Sequence, residues 1–311
     1  MRNKTTKMKY MVYTYILLTA FVLVSCVRDE ILPCPPLQVN IAVKDKNYFN
    51  VDKVELEDRL PDDLPLRDYV PTLYYRLNRI MEDGTSRMVE EKGVFQVEGD
   101  GKTYPVTFDE SLPHGTYVLT VWGGLDNLEP LTEDRTSISF HPEHTEGLDV
   151  YMANDTLVYD AYNYAYTTEM ERTKGKLIIQ VTNLPTAVHY SDKTITGLYG
   201  EMDCCMFEYS KRTEVTTTRE WQPGGEVVTK TVLTPSVKEK GSLLSVNFYD
   251  EAERDEPVFS PEDVNITMRR NMLTVLKYVY DGSGRFSIYI LVNDNWEKVH
   301  GMEICLLYTS D

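Results

Sequence analysis

Residues 112–124 read LPHGTYVLTVWGG, and the run from Thr116 to Trp122 inside them decides the fold. Set out with the two-residue period of a strand, Tyr117, Leu119 and Val121 share one face, and Val118, Thr120 and Trp122 share the other. Both faces are largely apolar, as expected of a strand covered on two sides in the middle of a sandwich. Gly115 in front and Gly123-Gly124 behind mark turns.

Outward from this run the chain keeps the same grammar. Upstream, residues 37–43 alternate apolar and polar, and residues 55–71 are acidic, proline-punctuated and read as a loop. A strand is expected from Leu73 to Met81, a hairpin turn at Asp83-Gly84, and a returning strand from Met88. Downstream, strands are expected at Ser137–Phe140, at Leu148–Met152 and as one run from Thr156 to Tyr166, with Tyr162, Tyr164 and Tyr166 on one face. Residues 167–176 turn polar and charged and read as a domain boundary.

A second series follows. It holds a buried-type run at Leu177–Val181, a segment at Gly197–Tyr209, and two Thr/Val-rich arms, Thr213–Trp221 and Glu226–Leu233. Pro223-Gly224-Gly225 between the arms reads as a hairpin turn. Leu243–Tyr249, Val264–Met268, Met272–Tyr280, Arg285–Val292 and Met302–Tyr308 complete the set, with Asp281-Gly282-Ser283-Gly284 as a tight turn. No amphipathic helix of three turns is visible, and no short-period repeat. Short strands at regular spacing predict an all-β chain of two sandwiches in series, at residues 37–167 and 168–311.

The front of the chain carries a different message. Arg2, Lys4, Lys7 and Lys9 precede an apolar run from Met11 to Val24, a secretory signal pattern too short for a comfortable bilayer span. Leu23-Val24-Ser25-Cys26 resembles the bacterial lipobox, so residues 1–25 are expected to be removed and Cys26 to carry lipid. Two or more acyl chains on one residue give stable membrane anchoring. Residues 26–36 form the tether, in which Asp29-Glu30 resembles the tag that exports lipoproteins of the Bacteroides group to the cell surface. The expected location is the outer membrane, on its outer face.

A net charge of −17 disfavours nucleic acid and anionic bilayers as partners of the folded body, and loss of the basic leader deepens that charge. Hydrophobic content of 42% is not that of a disordered chain. Four cysteines remain after Cys26, namely Cys34, Cys204, Cys205 and Cys305, and in an exported chain they could form disulfides in any of three pairings.

Chemistry is hard to find. Gly282-Ser283-Gly284 is too short for a nucleophile elbow, and no glycine-rich loop opens a helix to cradle phosphate. His141, His144 and Glu146 form the one histidine cluster, and a solvated loop is a better reading than zinc. The acidic stretches at 58–63 and 250–256 lack calcium-loop spacing. Asp155-Thr156-Leu157 resembles a loose O-glycosylation sequon. No catalytic residue, metal or cofactor is expected, and the chain does not read as an enzyme.

Three landmarks together resemble a known family: the lipobox Cys26 followed closely by Cys34, the Leu112–Gly124 strand, and residues 171–185, ERTKGKLIIQVTNLP. These resemble the FimB-type fimbrial anchor lipoproteins of the Bacteroides group, minor subunits of type V pili, over essentially the whole chain. The resemblance implies two transthyretin-like sandwiches, an outer-membrane lipid anchor and a place at the base of a fimbrium. It implies fimbrial shaft subunits as partners, joined by β-strand addition at an open edge, with Met302–Tyr308 a candidate edge. Related stalk subunits are clipped in the first domain, and Arg59-Leu60 is the place here that resembles a cut site. The alternative is a surface glycan-binding lipoprotein of a carbohydrate uptake system, which calls for two or three coplanar aromatic rings on one surface.

Overall fold

The computed structural model describes residues 35–299, apart from 223, 225 and 293. The expected lipid site Cys26, as well as Cys34, Cys305 and the Met302–Tyr308 segment, lie outside the described residues. Among the described residues the chain is all β but for a helical turn at Leu66–Tyr69 and two 3-10 turns.

The first half supplies β1 (Gln38–Val43), β2 (Thr72–Ile80), β3 (Ser86–Gln96), β4 (Tyr104–Thr107), β5 (Gly115–Gly123), β6 (Ser137–Ser139), β7 (Tyr151–Tyr159) and β8 (Ala165–Arg172). Seven of these form one sheet in the order β3-β2-β5-β7-β8-β1-β4. β8 is its corner. It pairs with β7 at Tyr151↔Arg172 and Met152↔Glu171 only, and runs parallel to β1 from Gln38↔Ala165 to Val43↔Met170. The sheet therefore folds over on itself, and residues from both leaves, such as Val39, Ile41, Leu77, Leu119 and Met170, meet in one core.

β5 is central, with β2 on one side and β7 on the other. Tyr117, Leu119 and Val121 enter the first core, while Trp122 on the opposite face enters a separate cluster with Tyr74, Ile138, Met152 and Met202. The strand is apolar on both faces because both are covered, as its sequence predicts. Gly124 ends it at φ +81, where an added Cβ would sit 2.4 Å from the Asp149 carbonyl oxygen.

The second half supplies β9 (Gly175–Thr182), β10 (Tyr190–Asp203), β11 (Glu208–Glu220), β12 (Glu226–Leu233), β13 (Ser242–Tyr249), β14 (Val264–Ile266), β15 (Leu273–Tyr280), β16 (Phe286–Val292) and β17 (Asn295–Lys298). They form two five-stranded sheets, β11-β10-β13-β14 with β6 added to β10, and β12-β9-β15-β16-β17. Ile195, Leu198, Leu244 and Phe248 of one sheet pack on Leu177, Ile179, Leu276 and Tyr278 of the other.

Four expectations need correction. The Thr213–Trp221 and Glu226–Leu233 arms are not a hairpin: β11 pairs with β10, while β12 pairs with β9 in the opposite sheet. The Pro-Gly-Gly link thus joins two sheets, and each arm satisfies its ladder with a different partner. The expected 156–166 strand is split into the end of β7, a turn at Asp160–Tyr164 held by the Asp160 carboxylate, and the start of β8. Thr168 to Arg172, assigned from sequence to the second unit, complete β8 of the first sheet, and β9 begins at Gly175. The polar stretch 167–176 is thus strand rather than linker, and only Thr173 and Lys174 connect β8 to β9, both fully buried. Finally, β4 and β17 are strands that the sequence reading does not resolve.

The two sandwiches share buried surface. β6 from the first half lies on β10 of the second, from Ser137↔Asp203 to Ser139↔Glu201. Residues 44–57, after β1, form a strap across the other sheet, where Tyr48, Val51 and Val54 bury against Ile178, Leu273 and Val275. Asn50 fixes the strap by accepting from the Leu273 N–H (2.8 Å) and donating to the Leu273 carbonyl (2.9 Å).

Candidate functional site

Two strands from opposite sheets border one groove. Among the described residues the β14 ladder runs to β13 and the β17 ladder to β16. These are the edges of opposite sheets, and the groove between them has a volume of about 1360 Å³. That exceeds the roughly 300–1,000 Å³ of most small-molecule pockets and suits an extended peptide better. Leu243, Val264 and Ile266 line one wall, Leu273, Ile290 and Val292 the other, and Phe49 and Val54 of the strap close one end. Phe49 is 63% exposed, a large apolar side chain left in water at the groove mouth.

The local sequence explains why β14 is short. β14 holds just three residues, with Asp255, Glu256, Glu262 and Asp263 in the loop before it and Pro257 and Pro261 breaking that loop. Acidic residues and prolines cannot extend the ladder into an apolar seam. Lys53 reaches Asp294 across the groove end (3.7 Å), an exposed pair worth little by itself.

Behind the groove the strap meets a buried polar junction. The Arg172 guanidinium donates to Asp149 (3.1 Å), to the Asn271 side-chain oxygen (2.8 Å) and to the Tyr151 hydroxyl, and stacks 4.1 Å from the Tyr48 ring centroid. Arg270 adds Asp45 (3.2 Å) and Glu171 (2.6 Å). Lys174 donates to the Glu146 carbonyl (3.0 Å), and burial pulls its pKa down to about 7. Lys193, buried between the sheets against the Thr229 and Thr231 hydroxyls, is likewise pulled down to about 7 by burial. Sequence reading misses these cations because a charged residue ordinarily signals solvent; for Arg172 and Lys174 the one hint is their position just ahead of the apolar Leu177–Val181 run.

The histidine cluster is a solvated loop only in part: residues 142–145 are exposed, whereas His141 is buried. His141 is buried, and its Nδ1–H donates to the Thr145 carbonyl (2.9 Å) while Nε2 faces the Thr234 N–H (3.4 Å) and hydroxyl (3.1 Å). Glu146 accepts from Arg219 (2.7 Å) and from the Val232 N–H (2.7 Å). His144 is exposed and bonds to the Glu214 carbonyl (3.3 Å), so the three residues serve different neighbours. Among the described residues no cluster of metal-ligand side chains occurs.

The cysteines, tyrosines and loop residues singled out from the sequence fall in separate places. Cys204 is buried, with burial pushing its thiol pKa up, and Cys205 is exposed; both are free thiols. Tyr162 sits in the β7–β8 turn, 92% exposed, whereas Tyr164 and Tyr166 pack on the first core, so the three rings do not form one face. Thr156 is exposed on β7. Arg59 pairs with Asp52 (3.0 Å) and Asp62 (3.3 Å), and Asn47 holds Leu60 from both sides, accepting from its N–H (2.8 Å) and donating to its carbonyl (2.9 Å).

No protein-family model matches the sequence, and no curated protein does. Solved structures match in fold at low identity. A protein of Bacteroides ovatus assigned as an adhesin aligns over 89% of this chain and 98% of its own, at 14% identity and a TM-score of 0.56. A protein of Bacteroides thetaiotaomicron assigned as polysaccharide-binding aligns over 85% and 98%, at 11% identity and 0.52. The fimbrial anchor protein Mfa2 of Porphyromonas gingivalis aligns over 85% and 100%, at 14% identity and 0.49. In fold, this chain is of one kind with the Bacteroides proteins assigned as adhesins and polysaccharide binders.

Proposed function

We propose that the protein is a cell-surface lipoprotein that anchors a fimbrium to the outer membrane and takes part in its assembly by β-strand addition. The observation that carries this reading is one long groove of mixed apolar and charged lining, bordered by β14 and β17, each the outermost strand of its sheet among the described residues. An incoming strand there satisfies backbone groups of β14 or β17 and seats alternate side chains on the groove floor. The lipobox at Cys26 supplies the other half of an anchor, a fixed end in the membrane. The shared fold with adhesin-assigned proteins fits a structural role.

The glycan-binding alternative calls for coplanar exposed rings. Separation of Tyr162 from Tyr164 and Tyr166 removes the set that the sequence offered for it.

The experiment is Cys26→Ala. Expected outcomes are loss of the protein from the outer-membrane fraction and release of fimbriae into the medium, read by fractionation and electron microscopy. A variant still held at the membrane, with fimbriae retained on the cells, overturns the anchor reading.

A further inference from the structure

The outer face of the β12-β9-β15-β16-β17 sheet is covered only in part. The strap lies on Ile178, Leu273 and Val275, with Leu291 packed beside it. Past the strap the register draws one row across the sheet, through Val228↔Gln180, Gln180↔Lys277, Lys277↔Tyr289 and Tyr289↔Lys298. Leu276, Tyr278 and Ile288 point into the second core, so Lys277 and Tyr289 point away from it. Four gaps of about 4.8 Å between strands make the row roughly 19 Å long. Trp296 pairs with Leu291 on the same face, diagonal to Tyr289.

No side chain of this row is buried, and Trp296 is 42% exposed, whereas Trp122 is buried and Trp221 packs on the second core. The Lys277 ammonium stands 5.9 Å from the Trp296 ring centroid and holds the indole in place. Among the described residues neither Lys277 nor Lys298 enters an ion pair. Glu226, beside the row, accepts from the Gln180 amide (2.7 Å). On a chain of net charge −17, two cations free of carboxylates and two aromatic side chains thus share one face. The charge complement of that face is an anion.

The rest of the chemistry selects the kind of anion. β9, β15 and β16 are bonded along both edges, so over them the face offers side chains and no backbone groups. An extended peptide laid there finds no ladder to join. Sugar rings match what is present: their C–H faces stack on Trp296 and Tyr289, their hydroxyls bond to the Gln180 amide, and carboxylates on the rings meet Lys277 and Lys298. An open row of roughly 19 Å takes several rings in line rather than one enclosed sugar. We propose that this face binds an acidic polysaccharide, a chain of carboxylate-bearing sugar rings laid across β9, β15, β16 and β17. The site lies apart from the tyrosines at 162–166, which belong to the first sandwich. It adds a ligand to the anchor and does not depend on the anchor reading.

The test is titration of the full chain with three uronate polymers of different linkage, polygalacturonate, alginate and hyaluronan, followed by calorimetry and tryptophan fluorescence. At least one polymer should bind and change the emission, and Trp296→Phe should abolish the emission change. Trp296→Ala, at an exposed position that leaves the cores intact, should weaken binding about tenfold. Lys277→Gln should weaken it about fivefold and reduce its dependence on salt. Tyr162→Ala should leave binding unchanged, and neutral dextran should not bind. Three results overturn the proposal: no binding of any of the three polymers, binding unaltered by Trp296→Ala, or equal binding of poly-L-glutamate through the same residues, which would assign the face to an acidic peptide. The readout needs neither membrane nor fimbriae, so its failure is separable from failure of the anchor reading.

Discussion

His141 shows how a residue read as loop chemistry becomes a structural group. Its ring is enclosed, with Lys174 nearby, and burial pulls its pKa down to about 3 from an ordinary 6.5. The native state therefore binds fewer protons than the unfolded chain between pH 6.5 and 3. Stability from this group is complete above pH 6.5 and falls as the pH drops towards 3, by about 4–5 kcal/mol over the whole window. Urea unfolding across pH 3–8 should show this slope, and His141→Gln should flatten it while costing about 1–3 kcal/mol at neutral pH for the imperfect replacement of two buried contacts. An unchanged slope in the variant refutes the assignment. Nothing in the stretch His141-Pro142-Glu143-His144 announces burial. The enclosure comes from Thr234 and Tyr199, far along the chain, the former tied to the latter by a hydroxyl-to-carbonyl bond (2.5 Å).

Elements were legible in proportion to how local their cause is. β1, β2, β13, β15 and β16 follow from period-two alternation bounded by turn residues, β5 and β9 from short apolar runs covered on both faces, and the Asp281–Gly284 turn forms as expected between β15 and β16. The β11 and β12 arms show the limit. Their strand character is local, but the choice of partner is made by which core each buries into, and that is not written in either arm. β10 carries a further case: Gly197 at φ +72 shifts the register against β11 between Thr196 and Leu198, and an added Cβ would lie 2.2 Å from the Gly241 carbonyl oxygen. The acidic loop after the strap yields a prediction of its own. With Leu60 held on both sides by Asn47, the Arg59–Leu60 bond is tied to the strap and must be released before a protease can seat it. Asn47→Ala should raise cleavage by trypsin at Arg59 about tenfold, as expected for loss of about 1.4 kcal/mol of local hydrogen bonding. Equal rates of appearance of the peptide beginning at Leu60 would count against the clamp.

At the scale of the whole molecule, the two sandwiches are joined by more than a linker. Trp122, Met152 and Ile138 of one half bury with Met202 and Cys204 of the other, and the strap buries Tyr48, Val51 and Val54 on β9 and β15. Arg172, Arg270 and Lys174 fill the polar space between them. The described body should therefore unfold in one transition, with calorimetric and van't Hoff enthalpies equal. Arg172→Ala should lower stability by about 3–5 kcal/mol, because Asp149 and Asn271 lose a buried partner; two resolved transitions in the wild-type protein would overturn the prediction. The sequence by itself determined the strand content and the two-faced burial of β5, because each rests on side-chain period and composition within a few residues. Only the tertiary structure decided which sheet each arm joins, that residues 167–176 are strand and buried junction, and that β14 and β17 border one groove. These depend on contacts between residues separated by scores of positions, where a charge is buried because distant oxygens meet it and a strand joins the sheet whose core it helps to fill.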